Sequence, residues 1–273
     1  MFERNTQNSA IVTAFNMAEL IFHSTVRNVR KTHRNAIVGL LLNILQTIVF
    51  VAAFYFMFSL FGMRSSPIPG DYMIYIMSGI FLFLTHTKAI GAVYGAEGAT
   101  NSIMKHAPLN TIITISAGAL SSLYLQILSL ITVLFGYHVI VRPVEIDDPV
   151  GAMGMLILSW LSGVAIGLIF LAIKPWMPNF TKVAQSVYSR ANMVASGKMF
   201  VANLMPAGLL PFFWWNPLFH TIDQARGFIF LNYTPHVTSI SYPIYLTLGI
   251  FMVGMMAEFV TRKTASLSWD ASR

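Results

Sequence analysis

The chain contains no cysteine, which excludes a disulfide framework, a thiol nucleophile and a cysteine-bound metal. Charge is scarce: 10% of its 273 residues are Asp, Glu, Lys or Arg, where a soluble domain carries about 25%. The 10 acidic residues are dispersed, with no paired carboxylates, so acid–base chemistry has little to draw on. No GxxxxGK[ST] phosphate loop occurs, since Gly197 and Lys198 are followed by Met199 and lack the upstream glycine. The chain is therefore not expected to hydrolyse ATP by itself. His23, His33, His86, His106, His138, His220 and His236 are scattered without an HExxH pattern, which leaves no metal spacing. There is no solenoid repeat and no low-complexity tract.

What the chain has is apolar sequence, 56% hydrophobic with a mean hydropathy of +0.66. This composition belongs in a bilayer, where a spanning helix needs roughly 20 apolar residues to cross about 30 Å of hydrocarbon. The expected fold is an all-α integral membrane protein of six transmembrane helices. Five long runs are plain: Ala36 to Leu60, Tyr72 to Tyr94, Thr111 to Val141, Val150 to Ile173 and Ser241 to Val260. A less uniform run, Ala191 to Leu210, supplies the fifth span in chain order. Within the fourth, Gly163 and Gly167 form a small-residue pattern that lets helices approach closely, or are simply tolerated there.

Before the first span, Ile11, Phe15, Ala18, Phe22, Val26 and Val29 recur at steps of three and four between polar residues. That is one face of an amphipathic helix. It runs into Arg27, Arg30, Lys31 and Arg34, and is expected to lie in the headgroup layer. The first long apolar run begins after some 35 residues and is too long for a signal core, so the N-terminus is expected to be retained. Residues 1–35 thus read as an interfacial arm, 36–260 as one membrane domain and 261–273 as a polar tail.

The net charge of +7 would suggest nucleic acid in a soluble protein; here it sets orientation. Of the 17 Lys and Arg residues, five lie in the N-terminal arm and Lys105 follows the second span. Lys174, Lys182 and Arg190 follow the fourth, and Arg262, Lys263 and Arg273 close the chain. Those twelve share one side, against Arg64, Arg142 and Arg226 on the other. Both termini are therefore expected in the cytoplasm.

That orientation puts WWNPLFHTIDQAR, residues 214–226, on the outer side, next to a span interrupted by Pro206 and Pro211. Freed carbonyls are tolerated at membrane depth only against protein or a water-filled cavity, which predicts a re-entrant hairpin. Asn216 suits an N-cap and Pro217 the first helical position. His220, Asp223 and Arg226 then follow at steps of three, with Asp223 and Arg226 placed to pair. Trp214 and Trp215 are either part of an aromatic shelf or interfacial anchors. Lys88, deep in the second span, either faces a cavity or snorkels to the interface.

The pattern NPLxHxxxxxR, here Asn216, Pro217, Leu218, His220 and Arg226, resembles the outer-face signature of the membrane subunit of type 2 ATP-binding-cassette exporters. The similarity is to the branch that exports capsular polysaccharide and O-antigen. RxxRxxHRNAIVGLLLNIL, residues 27–45, and the stretch from Tyr75 to Thr114 are similar to that family's first-span approach and its second span with the coupling segment. Ser196, Gly197 and Pro206 ahead of WNPL match the fifth span, so the resemblance covers nearly the whole chain. Two departures stand out. Asp223 replaces a frequent glutamate, and Lys105 and His106 precede Ala107 and Pro108 where a basic residue commonly abuts the proline.

The resemblance implies a permease without its own ATPase site, binding no cofactor, with ATP and Mg held by a separate subunit. It implies a second copy of the chain, two nucleotide-binding ATPase subunits, periplasmic and outer-membrane polysaccharide export components, and a lipid-linked polysaccharide as cargo. Nucleic acid is not among the partners. On this reading Trp214, Trp215, Asn216, His220, Asp223, Arg226 and Lys88 belong to the glycan path. Asn101, Met104, Lys105 and His106 couple to the ATPase, and Arg27, Arg30, Lys31 and Arg34 form a membrane-surface gate. An exporter of another substrate, such as a drug or another cell-wall polymer, is the nearest alternative. A membrane enzyme acting on lipid-linked sugars, with Asp223 and His220 as acid and base, is the rival from a different class.

Overall fold

A computed structural model describes residues 10–31, 36–60, 62, 66–96 and 111–270. The described residues are helical, with no β-strand among them. The elements are α1 (Ala10–Lys31), α2 (Ala36–Leu60), α3 (Tyr72–Tyr94), α4 (Thr111–Ile140), α5 (Pro149–Ile173), α6 (Pro178–Ala195), α7 (Leu210–Trp214), α8 (Pro217–Ile229) and α9 (Ser241–Asp270). A 3₁₀ turn at Ala202–Leu204 lies between α6 and α7.

Five helices are long and apolar enough to cross a membrane: α2, α3, α4, α5 and α9. Their bounds follow the expected runs, because uninterrupted apolar sequence has no other way to satisfy its backbone in lipid. The helix α3 is buried on every side, with Ile74 to His86 all enclosed, and α2, α4, α5 and α8 pack around it. The outer helices turn apolar side chains outward, among them Leu41, Phe56, Phe135 and Met256, as a lipid-facing surface requires. Gly163 and Gly167 sit at the α3–α5 contact, where an added Cβ would collide with the His86 carbonyl or lie 2.9 Å from Val93 Cβ. The small-residue pattern is thus a packing device.

Contacts fix the direction of each helix. Gln46 meets Lys88 while Tyr55 meets Tyr72, so α2 and α3 are antiparallel. The end of α4 meets the start of α3 through Tyr137 and Asp71. Thr261 bonds Ala172, so α5 and α9 finish together. The start of α2 and the end of α9 therefore lie at the same end of the bundle, together with the C-terminus of α3 and the N-terminus of α4.

The fifth crossing differs from the expected span. No helix covers Ala191 to Leu210: α6 begins earlier, at Pro178, and stops at Ala195. Gly197 adopts φ +70°, which breaks the helix, and Pro206 and Pro211 keep it broken. The segment nonetheless climbs the full height of α3. Lys174 bonds the Tyr94 carbonyl, Tyr188 meets His86, Lys198 lies against Gly79, and Arg226 faces Tyr75. The crossing is thus made in pieces, and α7 and α8 form the re-entrant hairpin that the prolines predict. At the chain's end, α9 continues through Asp270, so residues 261–270 extend the last helix.

The amphipathic α1 packs on α4 and touches α2, with Phe15 and Phe22 exposed. Asn101, Met104, Lys105 and His106, expected to couple to an ATPase, together with Arg34, lie outside the described residues, as does the side chain of Lys31.

Candidate functional site: a broken crossing and a polar groove

Asn216 caps α8 as its sequence predicts, accepting from the Leu218 amide at 3.0 Å while Pro217 opens the helix. Its amide nitrogen donates to Asn192 Oδ1 at 2.7 Å and Ala195 O at 2.9 Å, which ties the hairpin to the end of α6.

The three polar residues that follow separate. Each step of three along an α-helix rotates a side chain by about 60°, so His220, Asp223 and Arg226 fan out toward different neighbours. His220 Nδ1 accepts from the Ser239 amide at 3.1 Å, so Nε2 carries the proton and donates to Trp214 O at 2.7 Å. Asp223 accepts from Tyr233 Oη at 2.5 Å and Thr238 Oγ1 at 2.8 Å. Arg226 donates to the carbonyls of Phe200 (2.7 Å), Lys198 (2.7 Å) and Gly197 (3.3 Å), with its guanidinium 4.2 Å from the Tyr75 ring centroid. The expected Asp223–Arg226 pair does not form. The carbonyls released by the break at Gly197 take the guanidinium, and two hydroxyls take the carboxylate.

Asn216, His220, Asp223 and Arg226 are buried, none more than 2% exposed. In this structure they frame the hairpin rather than face an open path. The Tyr233 hydroxyl is pushed up by burial and by its bond to the Asp223 carboxylate. By contrast Trp214 is 47% and Trp215 58% exposed. Trp214 stacks at 5.2 Å on Tyr242, whose hydroxyl donates to Trp215 O.

Two buried groups were not assigned from sequence. Lys198, 3% exposed, places its ammonium 3.6 Å from the Phe83 centroid, 4.5 Å from Phe54 and 4.9 Å from Phe50. It has no hydrogen-bond partner among the described residues. His86, in the middle of α3, bonds Ser162 Oγ at 2.9 Å and Tyr188 Oη at 3.2 Å, joining α3, α5 and α6. A cation and an imidazole inside apolar runs were the available signals.

At the end of the bundle opposite the start of α2, Asp71 caps α3 through the Met73 amide at 2.7 Å, and accepts from Tyr137 Oη at 2.7 Å and Arg142 Nε at 2.5 Å. Burial raises its carboxyl, but these hydrogen bonds outweigh it and hold the group below its ordinary value. Asp148 caps α5 in the same manner. Asp71 and Asp148 thus each serve a helix start.

Lys88 faces a cavity of about 390 Å³ at the end of the bundle holding α1. Its ammonium donates to Gln46 Oε1 at 2.6 Å, and Asn43 bonds Ser129 Oγ at 2.7 Å and receives the Gln126 amide at 3.5 Å. A polar groove thus lies between α2, α3 and α4 in an otherwise apolar bundle. Among the described residues no cluster of His, Asp and Glu is arranged to hold a metal.

No family model matches the chain. Two polysialic acid transport proteins KpsM of Escherichia coli are each 23% identical to it over 202 residues, 72% of this chain and 76% of theirs. The chain is thus similar to these polysialic acid transport proteins, which agrees with the resemblance to capsular polysaccharide export permeases that its NPL-capped helix suggests.

Proposed function

We propose that this chain is the channel-forming permease of an ATP-driven exporter that moves lipid-linked capsular polysaccharide across a bacterial inner membrane. The reading is carried by the similarity to polysialic acid transport proteins along nearly three quarters of the sequence. The start of α2, the end of α3, the start of α4 and the end of α9 lie at one end of the bundle, and the excess of Lys and Arg in the adjoining sequence supports a cytoplasmic position for that end. ATP and Mg are held by a partner subunit, and residues 97–110 are where it pushes. Two copies of the chain and two ATPase subunits make the working unit, feeding periplasmic and outer-membrane export components.

A sliding polymer needs flat faces for sugar rings and no deep charged trap. Trp214 and Trp215 present such faces at the outer end, and Lys88 offers one cation to an acidic glycan at the inner end. Deleting the gene tests this reading: glycan should accumulate in the cytoplasm and surface capsule should vanish, with both restored by the intact gene. Unchanged surface capsule would overturn it.

A further inference from the structure

A separate cavity of about 570 Å³ opens on the flank of the bundle, between α1, α4, α5 and α9. Most of its wall is apolar, with Ile115 and Leu120 on α4, Trp160 and Leu168 on α5, and Phe251 and Phe259 on α9. The Trp160 ring can belong to such a wall because its Nε1 already donates to the Ala119 carbonyl at 3.0 Å. From Phe251 to Arg262 the groove follows α9 for about 16 Å at the usual rise per residue. That is close to half of the roughly 30 Å hydrocarbon layer, so the slot has the depth of one leaflet.

One end of the groove is charged. Glu258 and Arg262 line it, one turn apart on α9 and both half-buried. Glu258 is the only acidic residue between Ser241 and Thr264, and a carboxylate inside a span is costly unless a partner or water meets it. Thr261, beside Arg262, bonds the Ala172 carbonyl at the end of α5. The two charges therefore stand where α5 and α9 leave the hydrocarbon, at the level of lipid headgroups. Opposite charges four residues apart are ordinary on an exposed helix. Here they stand at the mouth of an apolar slot one leaflet deep, which makes them a recognition surface of both signs.

We propose that this groove holds a zwitterionic phospholipid of the adjacent leaflet whose headgroup ends in a primary ammonium, with an acyl chain lying from Phe259 to Phe251, the phosphate at Arg262 and the ammonium at Glu258. Adjoining charges of opposite sign match such a headgroup, whereas a purely anionic one leaves Glu258 facing like charge. A primary ammonium brings three N–H donors to the carboxylate, and a trimethylated one brings none. Ile21 of α1 also borders the groove, so the lipid lies between α1 and α9 as a wedge. The site shares no lining residue with the cavity at Lys88 and rests on no reading of the chain's cargo.

Phosphatidylethanolamine, phosphatidylcholine and phosphatidylglycerol with identical acyl chains are titrated onto the full-length chain in detergent and followed by native mass spectrometry. Wild type should bind phosphatidylethanolamine roughly tenfold more tightly than the other two, as expected for charge-assisted hydrogen bonds to the ammonium. Glu258→Gln keeps the size of the side chain and should bring phosphatidylethanolamine and phosphatidylcholine to within about twofold of each other. Ser116→Phe, which narrows the slot from α4, should weaken all three lipids. Gly249→Leu, on α9 outside the groove and with nothing within 4 Å of an added Cβ, is the control and should match wild type. Equal binding of the three lipids by wild type would overturn the site, as would an ethanolamine preference that survives Glu258→Gln or undiminished binding by Ser116→Phe. The Glu258→Gln comparison decides the matter even where Ser116→Phe does not fold, and none of these readouts depends on export.

Discussion

Arg226 and Lys198 are joined through the main chain: Arg226 Nη2 donates to the Lys198 carbonyl at 2.7 Å, while the Lys198 ammonium turns away into three phenylalanine rings. One residue thus fixes the break in the fifth crossing to α8 through its backbone and to α2 and α3 through its side chain.

Arg226→Met removes the donor to three carbonyls, two of them at 2.7 Å. Each buried acceptor left unsatisfied costs about 1–3 kcal/mol, so the variant should lose several degrees of Tm in detergent and fall in membrane abundance. Arg226→Lys should recover little, because an ammonium cannot reproduce the planar fork. A Tm within about 1 °C of wild type, the scatter of a neutral surface change, would contradict the framing role.

Trp214 and Trp215 are exposed, so replacing both by Ala should leave membrane abundance nearly unchanged while surface glycan falls severalfold. Phe at both positions should restore most of it, since a ring face is what the sugar meets. Immunoblotting of membranes alongside surface capsule staining checks both halves. Full capsule on the double Ala variant would reduce these residues to interfacial anchors.

Lys198→Met keeps the length and apolar stem of the side chain while removing a buried ammonium that has ring faces and no hydrogen-bond partner among the described residues. Cation–ring attraction of about 2 kcal/mol or more in a desolvated site is set against the desolvation of the charge, and such replacements are often neutral or stabilising. The expected Tm equals or exceeds that of wild type, whereas Lys198→Ala should be destabilised by the cavity it leaves. A loss in the Met variant as large as in the Ala variant would show that the charge itself holds the break.

The clasp of Asp71 with Arg142 and Tyr137 has a defined pH range. Its carboxyl is held below the ordinary value of 3.8, so the stabilisation is complete above that value and disappears as pH falls through the lowered folded-state value. Arg142 is raised by the same hydrogen bonds. Asp71→Asn retains an N-cap acceptor but loses the ion pair with the solvent-exposed Arg142. The Tm difference between wild type and Asp71→Asn should be constant from about pH 8 to about pH 5, where carboxylates stay ionised. A difference that shrinks within this range would contradict the lowered carboxyl.

The five uniform spans were legible because continuous apolar sequence admits only a helix in lipid, and α2 and α3 begin and end at the expected residues. The cap at Asn216 and Pro217 was equally plain, since capping is a local interaction. The fifth crossing was misplaced because its stability comes from tertiary partners: α6 carries Lys182, Arg190 and Asn192, and its helix gives way at Gly197. Spacing alone favours a pairing of Asp223 with Arg226, two opposite charges three residues apart on one helix. What decided otherwise were carbonyls about 28 residues upstream and two hydroxyls downstream, which no spacing rule reaches.

The piecewise fifth crossing also bears on how the chain enters the membrane during synthesis. A segment holding a lysine, two prolines and a polar half-helix is a poor substrate for a translocon that sorts segments by hydrophobicity. Its cation lies against rings from α2 and α3, and its freed carbonyls accept from an arginine made later. Integration of this stretch should therefore wait for the earlier helices to assemble and for Arg226 to emerge from the ribosome, so that biogenesis proceeds as a concerted folding of the C-terminal half and not helix by helix.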